Sequence, residues 1–450
     1  MPETKPRIDL VFKDLHTAAS IDNFVVNTST VYISHEGEEK NINLDLDEIR
    51  GAAGHDIHPL VFDLYKIAVS AYMADLLFPR PPKTSGRVLN ILLAVSDKSK
   101  WDNQRQRLAA SFRLLTGDNF NFFFIQGERP RDEYEFVKRS EKVVSLFSGG
   151  LDSLSGVKYL LDNNLDPILI SHCSQNLVCA IQTTLAQLID ANLGRRIEFH
   201  QISARGVFGK DLAQSESSQK SRSFLFLTLA SIFALELGID RIYLFENGIL
   251  AMNLPIVPSR SFNNTKTAHP DFLKEFNTLL NSIYECDVNV QNPFLYKTKG
   301  EVVRLLDCAE FRPLIKTSVS CSVTGGLRYK RVKTSHTRHC GICVPCALRR
   351  FAIFAANLMP NDAQYHVDIL GDFNDLPLEA KTTIFQTLDF GHRLEMCSDE
   401  DVFCEIPEFY TENVDPEPII QMTRRYITEV KTCLSTNAAA MHRDTLPYLN

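Results

Sequence analysis

Two groups of residues in this chain of 450 have types and spacings that could do chemistry. The first is Ser148-Gly149-Gly150-Leu151-Asp152-Ser153. Adjacent glycines let a backbone approach an oxyanion closely, and the first amides of a following helix point at it. Ser148 and Ser153 add hydroxyl donors. A glycine pair alone reads as an ordinary turn, but five specified positions together occur by chance on the order of 10⁻³ times in a chain this long. The second group is Cys321, Cys340, Cys343 and Cys346, spaced C-x18-C-x2-C-x2-C. Thiolates two residues apart in a turn can share one ion, and four make a closed tetrahedral site for a structural Zn²⁺, with no position left for water. His339, beside Cys340, could replace one ligand, donate to a thiolate or face solvent.

The elements needed to position the first group surround it. Val143, Val144, Leu146 and Phe147 form an apolar run of the kind buried on both faces of a parallel sheet. Leu154, Val157, Leu160 and Leu161 follow the loop at helical spacing. From there strands and helices alternate: strand 143–147, helix 153–162, strand 167–171, helix 176–192, strand 197–203, helix 221–238 and strand 241–245. This order predicts an α/β fold with a doubly wound parallel sheet. Ligands of such sheets sit outside the carboxyl ends of the strands, where the glycine loop lies.

Outside this region the chain reads as accessory structure. Residues 1–126 are expected to form an α+β domain. It would hold a hairpin from Thr30 to Leu46 turning at Glu36-Gly37, helix 60–78, strand 88–95, helix 103–116 and strand 119–125. His55 and His58 are spaced for one helix face, the usual place of surface or core histidines. Residues 127–142 are polar, contain Pro130 and read as a linker. The α/β domain spans 143–358. Residues 359–450 read as a mostly helical extension, with Ile420, Ile427, Val430 and Leu434 on one face and a disordered end from Ala438 to Asn450.

Composition narrows the classes. The chain is 44% hydrophobic and 23% charged, ordinary for a soluble globular protein. A net charge of −7 argues against a nucleic-acid-coating protein. Arg328, Lys330, Arg331, Lys333, Arg338, Arg349 and Arg350, near the cysteines, more often offset a zinc–thiolate charge or bind phosphates. Direct nucleic-acid binding is therefore not expected. The opening MPETKPRIDLVF has no hydrophobic export region. The longest apolar run, Phe224 to Leu235, is a core helix rather than a membrane span. Eleven cysteines, an odd number without an export signal, point to reduced thiols in the cytoplasm.

The SGGLDS loop resembles that of the PP-loop, or N-type, ATP pyrophosphatases. That resemblance implies ATP held by Ser148, Gly149, Gly150, Leu151, Asp152 and Ser153, attack at the α-phosphorus, and release of pyrophosphate. No GxxxxGK[ST] occurs, so a P-loop NTPase is the weaker account. With the distal C…HCGxCxxCxxR, the chain is similar to the QueC-like branch, the 7-cyano-7-deazaguanine synthases, over roughly residues 142 to 355. Arg222 stands where that branch has an arginine opening a helix. Glu246-Asn247-Gly248 falls in its substrate region. His269-Pro270-Asp271 matches a tyrosine-proline-aspartate segment, and Lys297-Thr298-Lys299-Gly300-Glu301 a threonine-lysine-x-glutamate segment.

The resemblance implies an enzyme that adenylates the carboxylate of a 7-deazaguanine-type acid and passes it to an amine. Asp152, Ser153, Arg222 and Lys299 would be catalytic, with Asp152 a candidate for Mg²⁺ or water. Glu246, Asn247, Gly248, His269 and Asp271 would bind substrate. The departures are Ser221 and Ser223 around the arginine, His269 for tyrosine and Phe272 for cysteine. They and the added segments look like QueC-like proteins of bacterial antiphage defence loci, particularly the Qat type. That likeness implies partner proteins from the same operon and an acceptor that is ammonia or a protein amine. Two other classes stay open: a tRNA-modifying PP-loop ligase or thiolase, and a non-catalytic nucleotide-binding subunit of a defence complex.

Overall fold

The structure, a computed structural model, describes residues 5–14, 21–27, 29–34, 42–44, 46–80, 86–173, 176–206, 219–256, 266–321, 339–398, 401–402, 406 and 409–437. Its strands in chain order are β1 (Leu10–Phe12), β2 (Val31–Ile33), β3 (Ile42–Leu44), β4 (Val88–Val95), β5 (Asn119–Gln126), β6 (Val143–Leu146), β7 (Pro167–His172), β8 (Glu198–Ile202), β9 (Ala204–Gly206), β10 (Arg241–Tyr243) and β11 (Asn289–Gln291). All but β3 and β9 build two parallel sheets with helices around them, in the orders β2-β1-β4-β5 and β11-β10-β6-β7-β8.

The second sheet is the doubly wound one expected from the alternating pattern. Its first strand, β6, lies between β7 and β10, so the winding direction reverses beside β6. β6 is buried at all four positions, as its mostly apolar sequence, broken only by Ser145, leads one to expect. β11 was not legible: three residues, Asn289–Gln291, carry too little periodicity to mark a strand.

The α+β expectation for the N-terminal part is corrected, because every pairing in its sheet is parallel. Parallel neighbours need a crossover, and helix Pro59–Leu77 lies between β2 and β4 in the chain. That helix is buried along almost its whole length, packed against β4 and helix Arg222–Leu237. The expected hairpin is corrected too. β2 joins the first sheet while β3 pairs antiparallel with β9, and Glu36-Gly37 lies outside the described residues. His58 caps helix Pro59–Leu77 by accepting the Leu60 amide at 3.2 Å.

One continuous apolar core contains residues of both sheets. Phe112 packs tilted against Phe224 at 4.5 Å between ring centres, and Phe224 meets Phe276 at 5.2 Å. Residues 127–142 have no regular structure but are tied down. Tyr134 donates to the Leu235 carbonyl at 3.1 Å, and the Arg139 amide donates to the Gly238 carbonyl at 2.8 Å. Gly238 has φ +64°, and a Cβ there would sit 2.3 Å from the Val137 carbonyl, so glycine is required for this crossing.

A separate apolar cluster unites three of the cysteines with the C-terminal helices. Helix Val344–Ala355 packs on helix Pro416–Thr436, which also packs on helix Leu378–Met396. Residues 438–450, expected to be disordered, lie outside the described residues. Among the described residues no helix is long and apolar enough to cross a membrane.

Candidate active site and metal centre

The glycine loop leaves β6 at the point where the sheet reverses, directly opposite the segment that leaves β10. Gly149 turns the chain with φ +81°, and Gly150 opens helix Leu151–Asp162. The Gly150 amide donates to Ser148 Oγ at 3.4 Å, and Ser153 Oγ donates to the Gly150 carbonyl at 3.1 Å. Ser148 and Ser153 hydroxyls stand 3.2 Å apart. Gly150 has no side chain with which to cap the helix, so its first amides receive no side-chain bond from the N-cap position.

Three stretches far apart in the chain meet at Asp152. Lys299 Nζ donates to Asp152 Oδ1 at 2.7 Å, and Asn247 Nδ2 donates to Oδ2 at 2.8 Å. The side chains are only 5% and 12% exposed for Lys299 and Asp152, so little water screens the pair. Asn247 caps the short helix Gly248–Ala251 through its own Oδ1, which orients its amide toward Asp152. Thr298 caps helix Lys299–Arg304 in a capping box with Glu301, which fixes where Lys299 begins. The geometry makes Asp152 the anchor of a lysine, with both carboxylate oxygens already accepting.

Glu246 borders this cluster. Among the described residues its enclosed Oε2 has no hydrogen-bond partner. Burial, and then the Asp152 charge, push its carboxyl up from 4.5 to about 8, against the pull of Lys299. A carboxyl raised on folding binds its proton more tightly in the folded state. The stability this contributes is fully present below about 4.5 and is lost as pH rises through about 8. Glu246→Gln, neutral at every pH, is therefore expected to melt increasingly above the wild type as pH climbs through that window. Paired thermal melts check this; a difference that does not change with pH contradicts it.

The remaining expected site residues are placed less centrally. Arg222 opens helix Arg222–Leu237 and is exposed, its Nη1 donating to Gln219 Oε1 at 3.4 Å. A helix leading into β10 starts at the carboxyl edge of the sheet, which puts Arg222 on the rim where the glycine loop also lies; among the described residues it makes no hydrogen bond or ion pair with Asp152. Its neighbour Ser221 donates from both N and Oγ to Asp75 of helix Pro59–Leu77, each at 2.9 Å. His269 caps helix Pro270–Tyr284, accepting the Asp271 amide at Nδ1. Burial, reinforced by Lys266 and opposed by Asp271, brings its pKa down to about 4. Asp271 Oδ1 accepts from Thr411 and Asn413 of the C-terminal extension. Phe272 is core, packed with Phe224 and Phe276.

The four cysteines converge as their spacing predicts, with their sulfurs within 4.8 Å of one another. Cys340 and Cys346 Sγ are 3.9 Å apart, and Cys343 and Cys321 Sγ are 4.0 Å apart. Tetrahedral thiolates at about 2.3 Å from zinc stand about 3.8 Å from each other, so the set fits that ion. Gly341, at φ +82°, lies so close to the Val367 carbonyl that any Cβ would collide with it. His339 is not one of the four converging groups, nor is it on the surface. It is buried against Tyr365, and its Nε2 accepts the Ser320 amide at 3.3 Å.

The cysteine centre reaches the loop through a short path. Two residues before Cys321, the Val319 amide donates to the Gly149 carbonyl at 3.0 Å. Arg349, fully buried in the helix after Cys346, donates to Ser318 Oγ at 2.9 Å and to the Ile315 carbonyl at 2.8 Å. It is paired with Asp362 at 3.0 Å, and Arg350 is paired with Asp368 and Asp362. These two arginines of the basic run are internal ties; Arg328, Lys330, Arg331, Lys333 and Arg338 lie outside the described residues. The expectation of reduced thiols is corrected at one pair. Cys173, after β7, and Cys179, in the first turns of helix Asn176–Leu193, have Cα atoms 5.0 Å apart and form a disulfide.

Residues 215–357 match the family model described as "Queuosine biosynthesis protein QueC". Among curated proteins, the chain is similar to a 7-cyano-7-deazaguanine synthase of Methanobrevibacter smithii, at 22% identity over 241 residues. That likeness covers 49% of this chain and 96% of the relative.

Proposed function

We propose, from a chain that carries a QueC-like domain, that this protein is an ATP-dependent ligase acting on the carboxylate of a 7-deazaguanine-type acid. The observation that carries the reading is the meeting of Asp152, Asn247 and Lys299 beside a glycine loop at the reversal point of the sheet. Ligand sites of doubly wound sheets lie at such points. The synthase named among the relatives supplies the substrate class.

With ATP as co-substrate, the amides of Gly149 to Ser153 and the hydroxyls of Ser148 and Ser153 would hold its outer phosphates. Lys299, anchored by Asp152, would meet the negative charge that grows on the phosphates as the α-phosphorus is attacked. Arg222 on the rim would approach the same phosphates. Mg²⁺ is the expected counter-ion of the triphosphate, and Asp152 is the carboxylate nearest the loop to share it. The substrate carboxylate forms a bond to the α-phosphorus while the bond to the β-phosphate oxygen breaks, releasing pyrophosphate. A neutral amine then attacks the acyl carbon, loses a proton, and the bond to AMP breaks to leave an amide. Glu246, Asn247 and Gly248, with His269 and Asp271 farther out, would frame the deazaguanine. A carboxyl kept protonated to about 8 could donate to a ring acceptor as well as accept.

The finer reading is an acceptor that is ammonia or a partner chain's N-terminus, in the service of antiphage defence. His269 in place of tyrosine and the added segments support it. An α-amine, with a reference pKa of about 8, is partly neutral at pH 7, unlike lysine at about 10.4.

Incubation with ATP and 7-carboxy-7-deazaguanine, with and without ammonia, tests the proposal by mass spectrometry of products. AMP and pyrophosphate in equal amounts, with amidated acid, are expected. ADP with phosphate, or acid left unchanged with every amine, refutes it. Intact-mass analysis after co-expression with genomic neighbours separates the acceptors: an adduct of the acid less water marks a protein amine, and unmodified neighbours leave ammonia.

A further inference from the structure

The family match ends at residue 357, yet the lysine at the centre of the site is held from beyond it. Glu429, in helix Pro416–Thr436, accepts from Thr298 Oγ1 at 2.7 Å. Thr298 uses the same oxygen to accept the Glu301 amide at 3.0 Å, capping the helix whose first residue is Lys299. A hydroxyl that donates in one fixed direction keeps a lone pair aimed in another, so Glu429 sets the cap and the cap sets Lys299. Gly300 makes this approach possible, because a Cβ there would lie 2.6 Å from Glu429 Oε1.

Two neighbours on the same helix face reinforce the contact. Arg425, one turn earlier, pairs with Glu301 at 2.7 Å and donates to the Tyr296 carbonyl at 2.9 Å. Met422 packs on Gly248, where a Cβ would lie 2.5 Å from its Cε. Residues 422, 425 and 429 thus press on both stretches that bring partners to Asp152.

We infer that the C-terminal helix is a working part of the site and that Glu429 is a positioning residue for Lys299. The inference rests on the ligase reading for its catalytic consequence but not for its geometry. The test therefore uses two readouts on the full chain. One is the acylation rate of Lys299 by an amine-reactive reagent, measured by quantitative peptide mass spectrometry against Lys98, whose side chain is 43% exposed. The other is kcat and KM for ATP conversion to AMP.

Glu429→Leu is expected to raise relative Lys299 labelling about tenfold and to lower kcat about tenfold with little change in KM, the size usual for an outer partner of a site residue. Glu429→Gln, which keeps an acceptor oxygen, should recover most of both. Thr298→Val removes the hydroxyl without touching the C-terminal helix and should reproduce the Leu result, covering the case in which Glu429→Leu does not fold. Unchanged labelling and kcat in a folded Glu429→Leu protein, or in Thr298→Val, overturn the inference. Shifted labelling in a protein that turns over no ATP with any acid upholds the positioning and refutes the ligase reading instead.

Discussion

Lys299→Met is expected to lower ATP conversion to AMP and pyrophosphate by about 100- to 1000-fold, the range found when one preorganised charge-stabilising donor is removed. The ammonium is held 2.7 Å from Asp152, away from bulk water, so no other solvent-borne cation replaces it. The same change leaves Asp152 with a nearly buried and uncompensated charge. That costs about 3 kcal/mol of stability in pairs of this kind. The double change Lys299→Met with Asp152→Asn should restore melting close to wild type, while activity stays at the level of the single change. Measuring melting and turnover across the four proteins separates the two roles. Full activity in a folded Lys299→Met protein removes the lysine from the mechanism, and a double variant as unstable as the single one removes the charge argument.

The second large effect concerns the metal. One zinc per chain is expected, bound by Cys321, Cys340, Cys343 and Cys346. Cys346→Ala, at a fully buried position, should lose stoichiometric zinc. Metal binding energy is largely folding energy. A loss of several kcal/mol moves the melting point of a domain of this size by roughly 10 °C or more. The cluster around these cysteines also contains the C-terminal helices, so chelation should expose surface well beyond the knuckle. The Val319 contact to Gly149 predicts that ATP affinity falls as zinc is removed. Elemental analysis together with melting in the presence and absence of chelator checks both statements. Zinc-free protein with unchanged melting contradicts them.

What the amino-acid order alone determined is local and strongly patterned. Val143 to Ser153 announces a buried strand, a glycine turn and a helix, because a nearly all-apolar run, two glycines and a helical repeat each have one cheap backbone solution. Cys340, Cys343 and Cys346 announce a shared ion, because sulfurs two residues apart in a turn cannot avoid one another.

Only the tertiary structure decided which distant residues face each other. Asp152, Asn247 and Lys299 lie about 95 and 147 positions apart in the chain, and nothing in periodicity pairs a loop after β6 with one after β10. Arg222, equally marked in the sequence, is exposed instead, and Ser221 beside it is held by Asp75 of helix Pro59–Leu77. Asp271, read as a substrate residue, spends its Oδ1 on Thr411 and Asn413. Glu429 carried no signal at all, being one glutamate on an amphipathic helix. Its position is chosen by the packing of that helix on Gly248 and Gly300, where two missing side chains let it come close. Backbone preference acts over a few residues and is written in their order. Buried polar contacts are settled by which surfaces the assembled core leaves facing one another, and that choice is made by the whole chain at once.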